Sequence, residues 1–197
     1  MRFFRHCKKC SFFFRLDPIE LGGIDSSYAS DILTHRINAF EVTEGKSYLP
    51  LSKESFVHLY NILNNNIRNV LNYADNYCFW IYFEELHPET DTQKHELYLK
   101  WIDIQCIKKI DAIKIGSRAL TVFNKAIALG GKFSPSDFDQ FNFNSYNAMR
   151  QHIIQLENNS LIVSSIDDSD KRRKTIQVTP EGWFYNYGLL NKLPDYK

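Results

Sequence analysis

Apolar residues recur along most of this chain at intervals of three and four, the spacing that lines one face of an α-helix. Ile32, Leu33, Ile37 and Phe40 make the first such stripe, and Ser26 or Ser27 stands where a helix cap is expected. After the loop Glu44-Gly45-Lys46-Ser47, Ser52 caps a second helix that runs to about Leu63 on Phe56, Leu59, Tyr60 and Leu63. The run Asn64-Asn65-Asn66 ends it, because Asn side chains compete with the helix for the backbone. A third helix turns Ile67, Val70, Leu71, Ala74, Cys78 and Ile81 inward. Residues 87–92 have the polar, Pro-containing make-up of a linker, and a helical pattern over 97–115 connects the two halves.

Beyond residue 115 helical spacing continues until two strands interrupt it after residue 160. A helix over 117–129 stops at Gly130-Gly131. Ser134-Pro135 then sets a cap before a first-turn proline, predicting a short helix to about Gln140. Asn144 or Ser145 opens the next helix, which buries Met149, Ile153 and Leu156 and turns Tyr146, Asn147, Arg150 and Gln151 outward. Asn158-Asn159-Ser160 turns the chain into a strand over 161–166, and 175–178 forms the return strand. Between them lie Asp167-Asp168-Ser169 and the tip Asp170-Lys171-Arg172-Arg173-Lys174. Thr179-Pro180-Glu181-Gly182 opens a final aromatic-rich helix over about 183–190. The fold class expected is mainly α with a small β-hairpin, in two parts: a helical bundle over 1–106 and a second unit over 107–197.

Apolar residues at 44% and aromatics at 15% are enough to build cores and exclude a disordered chain. The net charge of +1 hides an asymmetry. Residues 1–106 hold 11 Lys and Arg against 14 Asp and Glu, a net of −3, whereas residues 107–197 hold 13 against 9, a net of +4. No apolar run approaches the ~20 residues of a membrane span, and Met1-Arg2-Phe3-Phe4-Arg5-His6 is too broken by cations for a signal peptide. No membrane association and a cytoplasmic location are therefore expected, with the four cysteines reduced. Cys7-Lys8-Lys9-Cys10, with His6 beside it, has the spacing of half a zinc knuckle. A structural zinc needs four ligands, and Cys78 and Cys106 lie far along the chain in helical patterns, so no metal site is expected.

The basic excess sits at the hairpin. Four successive cations at one turn, Lys171 to Lys174, repel one another in isolation and are suited to a polyanion. Two helices joined by a short turn, the second feeding a hairpin, set that second helix for a major groove. Tyr146, Asn147, Arg150 and Gln151 are chemically suited to base edges or phosphates. Duplex DNA is the expected partner. Enzymatic chemistry is not expected: no His-Glu-x-x-His or Gly-x-Ser-x-Gly stands in the sequence, and the adjacent acids Glu84-Glu85 would not share a helix face.

On these residues the second half resembles the MarR group of winged helix-turn-helix regulators of transcription. That group carries Asp-x-Arg in its wing and a strand ending in Thr with Gly three residues on, matched here by Asp170, Arg172, Thr179 and Gly182. The resemblance implies that Arg172 contacts DNA, that Asp170 holds the wing in shape, and that Lys171, Arg173 and Lys174 add phosphate contacts. The long flanking helices through which that group dimerises are not matched in the N-terminal half.

The first half is similar to the lid region that ends AAA+ ATPase modules of the origin-recognition type. Phe14-Arg15-Leu16-Asp17-Pro18, then Asp31-Ile32-Leu33-x-His35-Arg36, then Asn66-Ile67-Arg68-Asn69-Val70-Leu71 follow that order. The likeness implies that Arg68 would contact nucleotide phosphates in a full ATPase, and less closely that Arg15 would act in trans. No Gly-x-x-x-x-Gly-Lys-[Ser/Thr] loop and no acidic strand end accompany them, so no nucleotide cofactor and no ATP hydrolysis are expected of this chain. The expected function is DNA binding. The competing class is an adaptor that docks on an ATPase or another partner without binding DNA directly; an ATPase core and a second copy of the chain are further candidate partners.

Overall fold

Ser52 sits in extended backbone and its hydroxyl accepts from Ser55 N, so the first turn of α2 (Lys53–Ile62) starts where the pattern predicts. Phe56, Leu59, Tyr60 and Leu63 are all fully buried along its inner face. Asn64 and Asn65 then take left-handed backbone, φ 50° and 62°, which Asn tolerates better than most residues. Asn66 caps α3 (Ile67–Phe83) by accepting from Asn69 N at 3.1 Å. The computed structural model describes residues 24–40, 48–166 and 174–192, with the side chains of 37–40 and 192 excluded. The expectations for Cys7, Cys10, Arg15, Asp170, Lys171, Arg172 and Arg173, and for the side chains of Ile37 and Phe40, fall outside it.

Seven α-helices and a three-stranded antiparallel sheet make up the described chain. α1 (Ala29–Phe40) is preceded by a short 3₁₀ turn at Ser26–Tyr28 that Asp25, not Ser26 or Ser27, caps. α4 (Asp91–Ala112) begins earlier than its apolar pattern. Thr90 and Gln93 form a reciprocal capping box that converts the end of the linker-like 87–92 stretch into helix. α5 (Ser117–Ala128) stops at Gly130 and Gly131, whose φ of 80° and 83° only glycine adopts readily. A side chain on Gly131 would also meet the Trp183 ring, its Cβ 2.6 Å from Cζ2.

β1 (Lys132–Phe133) is the strand that two-residue periodicity could not reveal. It pairs with β3 (Lys174–Val178), which pairs with β2 (Ile162–Ile166), in the order β1-β3-β2. The helix expected to reach Gln140 is only a 3₁₀ turn, Pro135–Asp137, capped by Ser134, after which the chain continues in turns. α6 (Tyr146–Asn158) and α7 (Pro180–Lys192) complete the order.

Buried residues fall into two clusters. One runs from Ala29 to Cys106, and the other from Ala119 to Tyr185. α7 belongs to both, Phe184 to the first and Tyr185 to the second. The junction expected between residues 106 and 107 lies within α4, where Cys106 packs into the first cluster and Ile110 against the second.

A polar seam joins α2, α4 and α7. His58 Nδ1 lies 3.0 Å from Tyr98 Oη, and its Nε2 lies 3.4 Å from Tyr187 Oη. His95, its ring 6.4 Å away, bonds Ser55 Oγ at 2.9 Å and lies 3.6 Å from Glu54. Burial, and then the charge His95 would carry, hold the His58 pKa below 6.5, against a smaller opposite pull from Glu54. The unfolded chain therefore binds the proton more readily than the fold. This contribution to stability is complete above pH 6.5 and is lost as the pH falls toward the lower folded value. Urea midpoints at pH 7.5 and 5.5 should differ more in the wild type than in His58→Gln. Equal differences would remove His58 as the cause and leave His152, also shifted down, among the other groups.

Candidate nucleic-acid interface

α6 is anchored from one side. Ser145 takes extended backbone and its Oγ accepts from Ala148 N at 3.3 Å, while Met149, Ile153 and Leu156 are 0–1% exposed beneath the helix. The opposite stripe, at the same helical spacing, holds Asn147, Arg150, Gln151 and Ile154, all exposed. Tyr146 is not part of it. Its ring is half-buried and packs against the second cluster, because position 146 sits about a quarter-turn toward the core. Ile154, 42% exposed, takes the fourth place in the stripe. An apolar residue on a helix otherwise read by its buried positions carries no sequence signal of its own.

Arg118, near the start of α5, reaches the turn that leads into α6. Its guanidinium donates to Asn142 O at 3.0 Å and lies 4.7 Å from the centre of the Phe143 ring. Asn142 holds φ 59°, and Phe143 then faces His152 of α6, ring centres 5.5 Å apart. Partial burial, and second the Arg118 charge, lower the His152 pKa. The outcome is an exposed cation beside the first turns of α6.

Glu157 near the end of α6 accepts from Ser164 Oγ of β2, tying the helix to the hairpin. The hairpin pairs Ile162 with Val178 through to Ile166 with Lys174. Lys174 is thus the first residue of β3, half-buried, at the base of the turn whose other cations are not described. Lys132, Gln177 and Val163 stand side by side across the exposed face of the sheet. Arg68 is exposed at the second position of α3, a helix whose buried residues belong to the first cluster.

Thr179 and Gly182 join the hairpin to α7. Thr179 Oγ1 donates to Ser160 O at 2.6 Å and accepts from Gly182 N at 2.9 Å. A Cβ on Gly182 would lie 2.2 Å from Leu161 O. Among the described residues no group of three His, Cys, Asp or Glu is placed to hold a metal, and no helix is long and apolar enough to cross a membrane. Comparison with protein-family models, curated proteins and solved structures finds no match for this chain.

Proposed function

We propose that this protein binds duplex DNA in the cytoplasm through a winged helix-turn-helix over residues 107–197. α6 would lie in the major groove, and the hairpin turn would rest on the flanking backbone. The observation that carries this reading is the division of α6: one face seated on Met149, Ile153 and Leu156, the other leaving Asn147, Arg150 and Gln151 uncovered. The order helix, strand, short turn, helix, hairpin supports it, as does the run of cations from Lys171 to Lys174. In this arrangement Arg150 and Gln151 read base edges, Ile154 offers apolar contact to a thymine methyl, and Arg118 adds a phosphate contact. The likeness to MarR-type regulators remains part of the proposal, and so does a lid-like role for the first bundle in which Arg68 serves a larger ATPase.

Arg150→Ala should cost about 1–3 kcal/mol on a selected duplex and much less on random duplex, because base contacts discriminate whereas phosphate contacts do not. Equal losses on both duplexes would place Arg150 on the backbone and take α6 out of direct readout.

A second reading, an adaptor that docks on a protein partner, is favoured by one observation. Phe79, Tyr82 and Phe83 on α3 are 61%, 76% and 75% exposed, a cluster of large rings that soluble surfaces seldom leave bare. A gel-shift assay at low salt separates the two readings, since an adaptor that makes no use of DNA gives no retardation.

A further inference from the structure

A groove of about 610 Å³ opens between α3, α4 and α7 at the edge of the first cluster. That is the size of sites that enclose small molecules, which are mostly apolar with a few convergent polar groups. Its walls are aromatic: Phe79, Trp80 and Phe83 from α3, Trp101 from α4 and Phe184 from α7. Phe79 and Phe83 present bare ring faces to solvent. Trp101 is the reverse case, 3% exposed, yet its indole N–H has no hydrogen-bond partner among the described residues. No fully buried side-chain nitrogen or oxygen there lacks a partner, so this donor is not sealed from solvent, and Trp101 is part of the groove lining.

Charge narrows what could fill the space. Glu181, the carboxylate in the lining, accepts from Tyr73 Oη at 3.0 Å and is paired with Lys109, so its field is largely cancelled. Lys108, also in the lining, is exposed, with no carboxylate within salt-bridge distance among the described residues. The amides of Asn72, Asn76 and Gln105 line the same groove and hold no bonds of their own there. The groove thus combines stacking faces, free amides, one unpartnered indole donor and one uncompensated cation.

We propose that this groove is a binding site for a planar aromatic molecule bearing a single negative group. Its rings stack against Phe79, Trp80 and Phe83, its edge acceptors take the Trp101 N–H and the amides, and its anionic group meets Lys108. The proposal is independent of DNA binding.

The full chain is titrated with anilinonaphthalene sulfonate and with phenylnaphthylamine, the same ring system without the sulfonate. One saturable site for the sulfonate is expected, with quenching of tryptophan emission. Trp80→Ala and Phe83→Ala should each weaken it about tenfold or more, as loss of a stacking ring does. Lys108→Ala should weaken the sulfonate about fivefold and leave phenylnaphthylamine unchanged. Ile166→Ser, which removes an exposed apolar side chain outside the groove, should change neither. Non-saturable binding, or unchanged affinity in both ring variants, overturns the site. Equal effects of Lys108→Ala on the two probes overturn the anion assignment. Phe83 is exposed enough that its variant should keep the wild-type melting temperature, so a loss of binding there is not a loss of fold.

Discussion

Gly182→Ala is expected to lower the melting temperature by roughly 6–12 °C, the equivalent of about 3 kcal/mol in a chain of this size. Alanine is the better helix former by about 1 kcal/mol, so helix propensity alone predicts a gain. Space reverses the sign. The new Cβ would stand 2.2 Å from Leu161 O and 2.8 Å from Val178 Cγ1. The carbonyl cannot turn aside cheaply, because Thr179 N donates to it at 3.0 Å. Overpacking against backbone belongs at the upper end of the usual cost of about 1–3 kcal/mol. Gly188→Ala, later in the same helix, is the control. Its Cβ would meet Cys106 Cβ and Ile110 Cδ1 at 3.2 Å, a tight fit that small shifts can relieve. Thermal denaturation of both variants checks the argument, and a Gly182→Ala melt at or above wild type would refute it.

On the proposed DNA-binding reading, the cations at the hairpin turn give the second large expected effect. Arg172→Ala with Arg173→Ala should weaken binding to any duplex on the order of 100-fold at ~0.15 M salt, as two charge-assisted contacts are lost. The slope of log affinity against log salt should become shallower by about 2, since each phosphate contact releases roughly 0.9 of a counterion. The loss should be the same on selected and random duplexes, in contrast to Arg150→Ala. Affinity and slope measured by titration at several salt concentrations settle the matter. If neither moves, the turn does not touch nucleic acid, and the adaptor reading gains.

Most helices were legible because burial on one face leaves a periodic trace. Phe56, Leu59 and Tyr60 fit it in α2, as do Met149, Ile153 and Leu156 in α6. Caps were legible where a single hydroxyl meets a backbone N–H, as at Ser52 and Ser145. What escaped were features made by tertiary contact. β1 is two residues long and exists because β3 lies beside it, so no alternation could announce it. The helix expected to reach Gln140 stops after one 3₁₀ turn. Tyr146 was assigned outward from its chemistry, whereas its angular position turns it toward the core. The placement of Arg118 beside α6 carries no sequence signal, because it depends on Phe143 and Asn142, brought near by the turn before that helix. Thr179 and Gly182 were noticed through a family likeness, and their physical reason, a hydroxyl spanning two backbones over a carbonyl too close for any side chain, is visible only in the fold.

α7 gives adjacent residues, Phe184 and Tyr185, to two different interiors. A rod gripped on two sides cannot tilt toward one without being drawn from the other. Strain arriving at the hairpin, whose strand β3 leads through Thr179 into this rod, is thus delivered to the far bundle with no hinge between to absorb it. The molecule should soften as a whole, and a cut intended to release either half would remove a wall from both.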